Sequence, residues 1–293
     1  MSGDFIRYYI GDIHFSMLKT VQRESGKFHE WELIQGSEFD LKHSYGYKEY
    51  AMRDDSLLEV LAKRSVIAET RQPASVKPSI LWPKASNIAD VLTLLSLARA
   101  RHYFPLAVEK KLGTEYGFHL GLMPREIAGN WGIVPISNLG GFISEALTRI
   151  ENNPKWLDES GFTPSIYWYQ QAQMTYPTAP SILEMGLYWI SLETLSHTYI
   201  DTQGINVTYK KERVKRFITD RGYTGNTWDF LEEAIDDWYI ARNDAFHEGK
   251  EKLPIKLLAK RGKQIRDFTS LVFVEMLQKQ EDARKKEIAK RMR

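Results

Sequence analysis

The period of the apolar positions changes along this chain, and the change predicts where sheet gives way to helix. Phe5 to Phe15 is dense in Ile, Tyr and Phe, and Glu30, Trp31, Glu32 and Leu33 alternate polar with apolar as a half-buried strand does. Ser25-Gly26 reads as a turn between these stretches, and Ser65 to Thr70 and Ser79 to Trp82 are further strand candidates. After Pro83 the period lengthens. Ser86-Asn87 opens a helix in which Ile88, Val91, Leu92, Leu95 and Ala98 form one apolar stripe. A stretch rich in Gly and Pro follows, which reads as irregular. Phe142, Ile143, Ala146, Leu147 and Ile150 then return to helical spacing, broken at Asn152-Asn153-Pro154.

Beyond Ser165 the pattern is helical throughout. Ser181-Ile182-Leu183-Glu184 is a capping box, in which hydroxyl and carboxylate satisfy free amides at a helix start. The helix behind it is apolar on nearly every side through Leu183, Leu187, Trp189, Ile190, Leu192 and Leu195, which predicts a central, buried position. Tyr209 to Arg221 forms a basic helix with Val214, Phe217 and Ile218 inward, stopped at Gly222. Asn226 and Thr227 start another, ending at Gly249, with Asp229, Glu232 and Glu233 at its positive end. A last helix carries Ile265, Phe268, Leu271, Val272 and Met276 and then frays into a charged tail from Lys279 to Arg293. The fold class expected is α+β: a β-rich N-terminal domain with following helices over residues 1–150, then an all-helical bundle over 151–293.

Composition narrows the chemistry. Hydrophobic residues make up 43% and charged residues 27%, enough apolar material for a packed core and no case for general disorder. Cysteine is absent, which excludes disulfides, a thiolate nucleophile and Cys-ligated metal, and makes a reducing cytoplasm the expected location. The start, Met-Ser-Gly-Asp-Phe, lacks the basic and apolar regions of a signal peptide, and no apolar run is long enough to predict a membrane span. The formal charge of +2 does not point to an anionic partner by itself. Basic residues cluster from Lys210 to Arg221 and from Lys250 to Arg266, as on a nucleic-acid face or on a solvated helix surface.

Few motifs survive inspection. Gly11-Asp12-Ile13-His14 after an apolar strand is similar to the first metal-binding motif of calcineurin-like phosphoesterases. Residues 16–293 offer no further Gly-Asp such as that site needs, and Gly129-Asn130 is followed by Trp131 in place of His. His29, His43, His102 and His119 stand alone, and no phosphate-binding, dinucleotide-binding or metalloprotease motif occurs, so neither metal nor cofactor is expected. Tyr167, Trp168 and Tyr169 are able to stack on bases, but their spacing suits helix packing at least as well.

One constellation carries chemistry. Leu231, Ile235 and Trp238 make an inner stripe, and the next position at that spacing is Arg242, a permanent cation that requires an anion or a polar groove. Asn243 and His247 are four apart and share a helical face, and His247 sits in the last turn, where the negative end of the helix dipole favours an imidazolium. Cleaving a phosphodiester without metal needs such groups: a base for the 2′-hydroxyl, an acid for the leaving oxygen and fixed positive charge on the phosphorane. The same spacing also permits a structural arrangement in which Arg242 pairs with a buried carboxylate such as Glu193 and His247 caps the helix.

Arg242-Asn243-Asp244-Ala245-Phe246-His247 resembles the Arg-polar-three-His signature of HEPN ribonucleases. Leu187 to Leu195, with its single acidic Glu193, resembles the buried helix of the phage-defence proteins similar to ApeA, and Ala89 to Arg101 is similar to a leucine-rich helix ahead of their nuclease domain. The resemblance covers Ser165 to about Lys279 and, more weakly, Ala85 to Ile150. Glu248 departs from it, since many members carry glycine directly after the histidine. The resemblance implies a metal-independent endoribonuclease in antiphage growth arrest. In it Arg242 holds the scissile phosphate, His247 acts as general acid or base, Asn243 orients phosphate or histidine, and Glu193 is a supporting residue. It also implies RNA as substrate, a homodimer with both motifs in one cleft, and a phage or regulatory trigger acting through the N-terminal domain. The alternative it leaves open is a HEPN module that binds RNA or a partner without cutting.

Overall fold

The structure is a computed structural model and describes residues 3–26, 28, 30–38, 63–120, 136, 138–175, 181–248, 253–278 and 289–292. His29, His43, Gly129 to Trp131, Gly249 and the tail from Lys279 to residue 288 lie outside the described residues. The fold is α+β, with an antiparallel sheet followed by a helical region. The chain divides into two compact units, one of Met1–Leu95, His102–Met123 and Ser137–Leu147, the other of Ser96–Arg101, Pro124–Ile136 and Thr148–Arg293.

In the first unit, strands β1 (Phe5–Gly11), β2 (Glu32–Gln35), β3 (Ser65–Thr70), β4 (Phe104–Leu112) and β5 (Glu115–Leu120) form one sheet in the order β2-β3-β1-β4-β5. The β4–β5 hairpin occupies part of the stretch whose Gly and Pro content predicts irregular chain. Pro105 is tolerated in β4 because it stands opposite Ile10, at the point where the β1–β4 register slips. Helix α1 (Phe15–Ser25) is a second departure: Gly26, at φ +64°, caps that helix through its N–H to Gln22 O at 2.9 Å, so the Ser25-Gly26 turn signal is a helix stop. Ser79 to Trp82 is not a strand either. The Ser79 hydroxyl and the Ile80 and Leu81 amides donate to the Asp90 carboxylate at 2.6, 2.8 and 2.9 Å, which curls the segment around the start of helix α2 (Ile88–Arg99).

The sheet also holds a charge network. Arg7 on β1 is flanked in register by Glu69 on β3 and Glu109 on β4. Its Nε donates to Glu69 and its Nη1 to Glu109 at 3.1 Å, while Tyr9 Oη donates to Glu109 at 3.1 Å and Arg71 Nε to Glu69 at 2.8 Å. Arg7, Glu69 and Glu109 are only 5%, 2% and 0% exposed, so every charge here is matched inside the fold. Burial by itself raises the Glu69 carboxyl, but the hydrogen bonds from Arg7 and Arg71 outweigh it and hold the group below its ordinary value.

The second unit is helical: the end of α3 (Leu139–Asn152), α4 (Lys155–Glu159), α5 (Phe162–Met174), α6 (Ile182–Thr202), α7 (Lys210–Asp220), α8 (Phe230–Asn243) and α9 (Ile255–Leu277). Helix α6 is central as its all-round apolarity predicts, and α5, α7, α8 and α9 all pack on it. Ser181 caps it, its Oγ accepting the Glu184 amide at 3.1 Å. Glu184 itself is buried, and burial pushes its carboxyl up to about 7 against the pull of Arg266. Asn226 and Thr227 form a turn ahead of α8, which begins at Phe230. Within the expected charged tail, Ala289 and Met292 are buried, and Gln264 Nε2 donates to Met292 O at 2.8 Å.

Candidate active site

Helix α8 buries Leu231, Ile235 and Trp238 and delivers Arg242 at its last turn, half-buried. The helix does not continue as an α-helix. Asp244–Glu248 form a π-helical turn, whose wider winding changes which side chains meet. In an α-helix, residues five apart point about 140° away from each other; in a π turn the five-residue spacing is the hydrogen-bonded repeat, and such turns recur at functional sites. Here the turn brings His247 back over Arg242: Arg242 Nη1 lies 2.6 Å from His247 Nε2 and donates to Asn243 Oδ1 at 3.1 Å. A guanidinium only donates, so in this contact Nε2 has the acceptor's role.

Arg242 is incompletely satisfied on its other side. Its Nε has almost no contact with solvent and no hydrogen-bond partner, and the facing carboxylate oxygen, Glu193 Oε2, stands 3.9 Å away. Glu193 is held more closely by other groups, with Lys210 Nζ at 2.9 Å and Trp189 Nε1 donating at 3.0 Å. His197 lies 3.8 Å from the same carboxylate; burial and the neighbouring Arg213 keep it below its ordinary pKa, which favours its neutral form. Among the described residues Arg242 is therefore a cation whose facing carboxylate stands 3.9 Å away, with an imidazole nitrogen in close contact. His247 is exposed, Asn243 half-exposed, and the Phe246 ring 42% exposed beside them.

Gly186 leaves room on α6 for the Phe246 ring, and the sequence reading passed over it. A Cβ at Gly186 would lie 2.8 Å from Phe246 Cε2, 3.4 Å from Ala245 Cβ and 3.5 Å from Arg242 Cα. A glycine inside a helix interior costs roughly 0.5–1 kcal/mol relative to alanine, so its presence in so apolar a helix was a legible sign of close backbone approach. Trp189 and Lys210 join the site through Glu193 and carry no comparable signal.

The basic run of α7 reads differently once its neighbours are in place. Lys210 faces Glu193, Lys211 and Lys215 face Asp236, Arg213 faces Asp201 and Arg216 faces Asp220, at 2.8 to 3.6 Å, while Arg221 stands 3.9 Å from Glu275. In the second basic run, Arg261 is buried against Asp237 and Glu233, and Lys263 and Arg266 face Asp267. Carboxylates from other helices compensate most of these cations, which counting charges along one segment cannot reveal. Among the described residues no group of His, Asp and Glu is arranged to hold a metal ion, and no helix is long and apolar enough to cross a membrane. Set against family models, curated proteins and solved structures, the chain matches none of them.

Proposed function

We propose that the helical unit is a HEPN-type, metal-independent endoribonuclease that cleaves RNA by attack of the 2′-hydroxyl. The observation that carries this reading is the pair of contacts at the π turn, where one guanidinium nitrogen touches both Asn243 Oδ1 and His247 Nε2. A phosphate entering the site competes for Arg242, the cation whose own counter-ion is distant. Moving the guanidinium onto the phosphate frees His247 Nε2 to accept the 2′-hydroxyl proton, while Arg242 stabilises charge on the phosphorane and Asn243 orients one or the other. Substrate binding and base activation are then the same movement.

The reaction also needs an acid for the leaving oxygen. A two-fold homodimer supplies it from the second copy of His247, and the exposed Phe246 beside the motif gives such an interface apolar material. The cellular role that accompanies this reading is antiphage growth arrest in the cytoplasm, triggered by a phage or regulatory signal through the N-terminal unit. A second reading, a helical module that binds RNA or a partner without cutting, is favoured by the charge compensation of α7.

Expression in a sensitive bacterial host separates the two. The nuclease reading requires growth arrest with new RNA ends mapped by sequencing, both lost in Arg242→Ala and His247→Ala. Arrest that persists in both variants, or arrest without new RNA ends, favours the non-cutting module.

A further inference from the structure

A second feature of the helical unit lies away from Arg242. Between α4, α6, α7, α9 and the end of α3 is a cavity of about 550 Å³, inside the size range of small-ligand sites. Its walls include the rings of Trp156, Tyr199 and Phe217. Two arginines sit over rings of this aromatic lining, with Arg149 Cζ 4.9 Å from the Trp156 ring centre and Arg221 Cζ 5.5 Å from that of Phe217. Arg221 Nε is shielded from solvent and has no hydrogen-bond partner, and its Nη2 stands 3.9 Å from Glu275, whose carboxylate already accepts from Tyr223. A buried guanidinium N–H left without an acceptor is costly. Its presence on a cavity wall calls for an acceptor carried by whatever fills the space.

We infer that this cavity binds a nucleobase with its attached phosphate. Aromatic faces and guanidinium planes are the surfaces on which unstacked bases lie, the Arg149 and Arg221 edges supply donors for phosphate or ring carbonyl oxygens, and Glu159 at the mouth accepts from an exocyclic amine. The base has two possible sources: a free mononucleotide acting as effector, or a base of a bound RNA strand. Tyr199 is six residues from Glu193 along α6, about 9 Å of helix rise, so a ligand here packs against the helix that carries Glu193. The inference does not depend on RNA cleavage.

Calorimetric titration of the full chain with each of AMP, GMP, CMP and UMP, and separately with a short single-stranded RNA, tests it. Saturable binding of a mononucleotide identifies a free ligand, and binding of the oligonucleotide alone identifies a strand base. In either case Trp156→Leu and Arg221→Gln should weaken binding about tenfold or more. Arg149→Gln, an exposed position that cannot unfold the protein, should weaken it several-fold, and Arg242→Ala should leave mononucleotide binding unchanged. No binding of any of these probes, or binding indifferent to all three pocket variants, overturns the proposal.

Discussion

Arg7 in the sheet and Arg242 at the end of α8 are both arginines facing carboxylates, and they are built to opposite specifications. Arg7 is 5% exposed, hydrogen-bonds two glutamates on the neighbouring strands, and the glutamates are completed by Tyr9 and Arg71. Among the described residues Arg242 faces a carboxylate at 3.9 Å, has an unsatisfied Nε, and holds a histidine against its remaining edge. A charge whose partners are all supplied by the fold is a stabilising element with nothing left to offer a ligand. A charge whose nearest counter-ion is held more tightly by Lys210 and Trp189 remains available to an incoming anion.

Swapping the tests between the two arginines gives the largest effects. Arg7→Ala removes the cation shared by two buried carboxylates, leaving Glu69 to Arg71 and Glu109 with tyrosine hydroxyls, and should cost about 3–5 kcal/mol of stability, read as a collapse of the thermal or urea midpoint. Arg242→Ala leaves Glu193 with Lys210 and Trp189 and should cost under about 1 kcal/mol, while RNA cleavage falls at least ~100-fold. Equal destabilisation by the two substitutions would erase the distinction between them.

The two units should also answer pH with opposite signs. Glu69 is held below its ordinary value in the folded state, so its contribution is present above the unfolded pKa and fades as pH falls through the folded one. Glu184 is raised from 4.5 to about 7, so its contribution is full below 4.5 and is lost as pH rises through 7. The loss is on the order of 3 kcal/mol. Glu184→Gln should therefore be more stable than the wild type near pH 8 and little changed near pH 4. A variant that gains nothing at the higher pH removes the assignment.

Much of the helical unit was legible because its elements are stripes with caps: Ser181 starts α6, Gly222 follows α7, and Leu231, Ile235 and Trp238 predict the buried face that ends at Arg242. The sheet was read only in part. Helix α1 buries just Leu18 and Val21, too few for a stripe to stand out, and β4 carries a proline whose tolerance depends on a register slip in its partner strand. At the site, the residues were legible and their meeting was not. An α-helical wheel pairs Asn243 with His247, whereas the π turn, which lies against Gly186, places His247 on Arg242.

That packing gives a smaller, sharper test. Gly186→Val displaces the Phe246 ring and crowds the turn where it meets Ala245 and Arg242 and should lower cleavage roughly tenfold while the melting temperature moves little, since the displaced ring is already 42% exposed. Unchanged cleavage would mean that the π-turn geometry does not matter to activity.

The most direct measurement is cleavage of a labelled single-stranded RNA by the purified full chain in excess EDTA, with the chemistry of the product ends determined. Attack by the 2′-hydroxyl predicts 2′,3′-cyclic phosphate and 5′-hydroxyl ends, formed at full rate without metal and reduced by His247→Ala about 10²- to 10⁴-fold. Cleavage that stops in EDTA and returns with Mg²⁺, or that survives His247→Ala at the wild-type rate, would contradict the assignment of the Arg242 and His247 site.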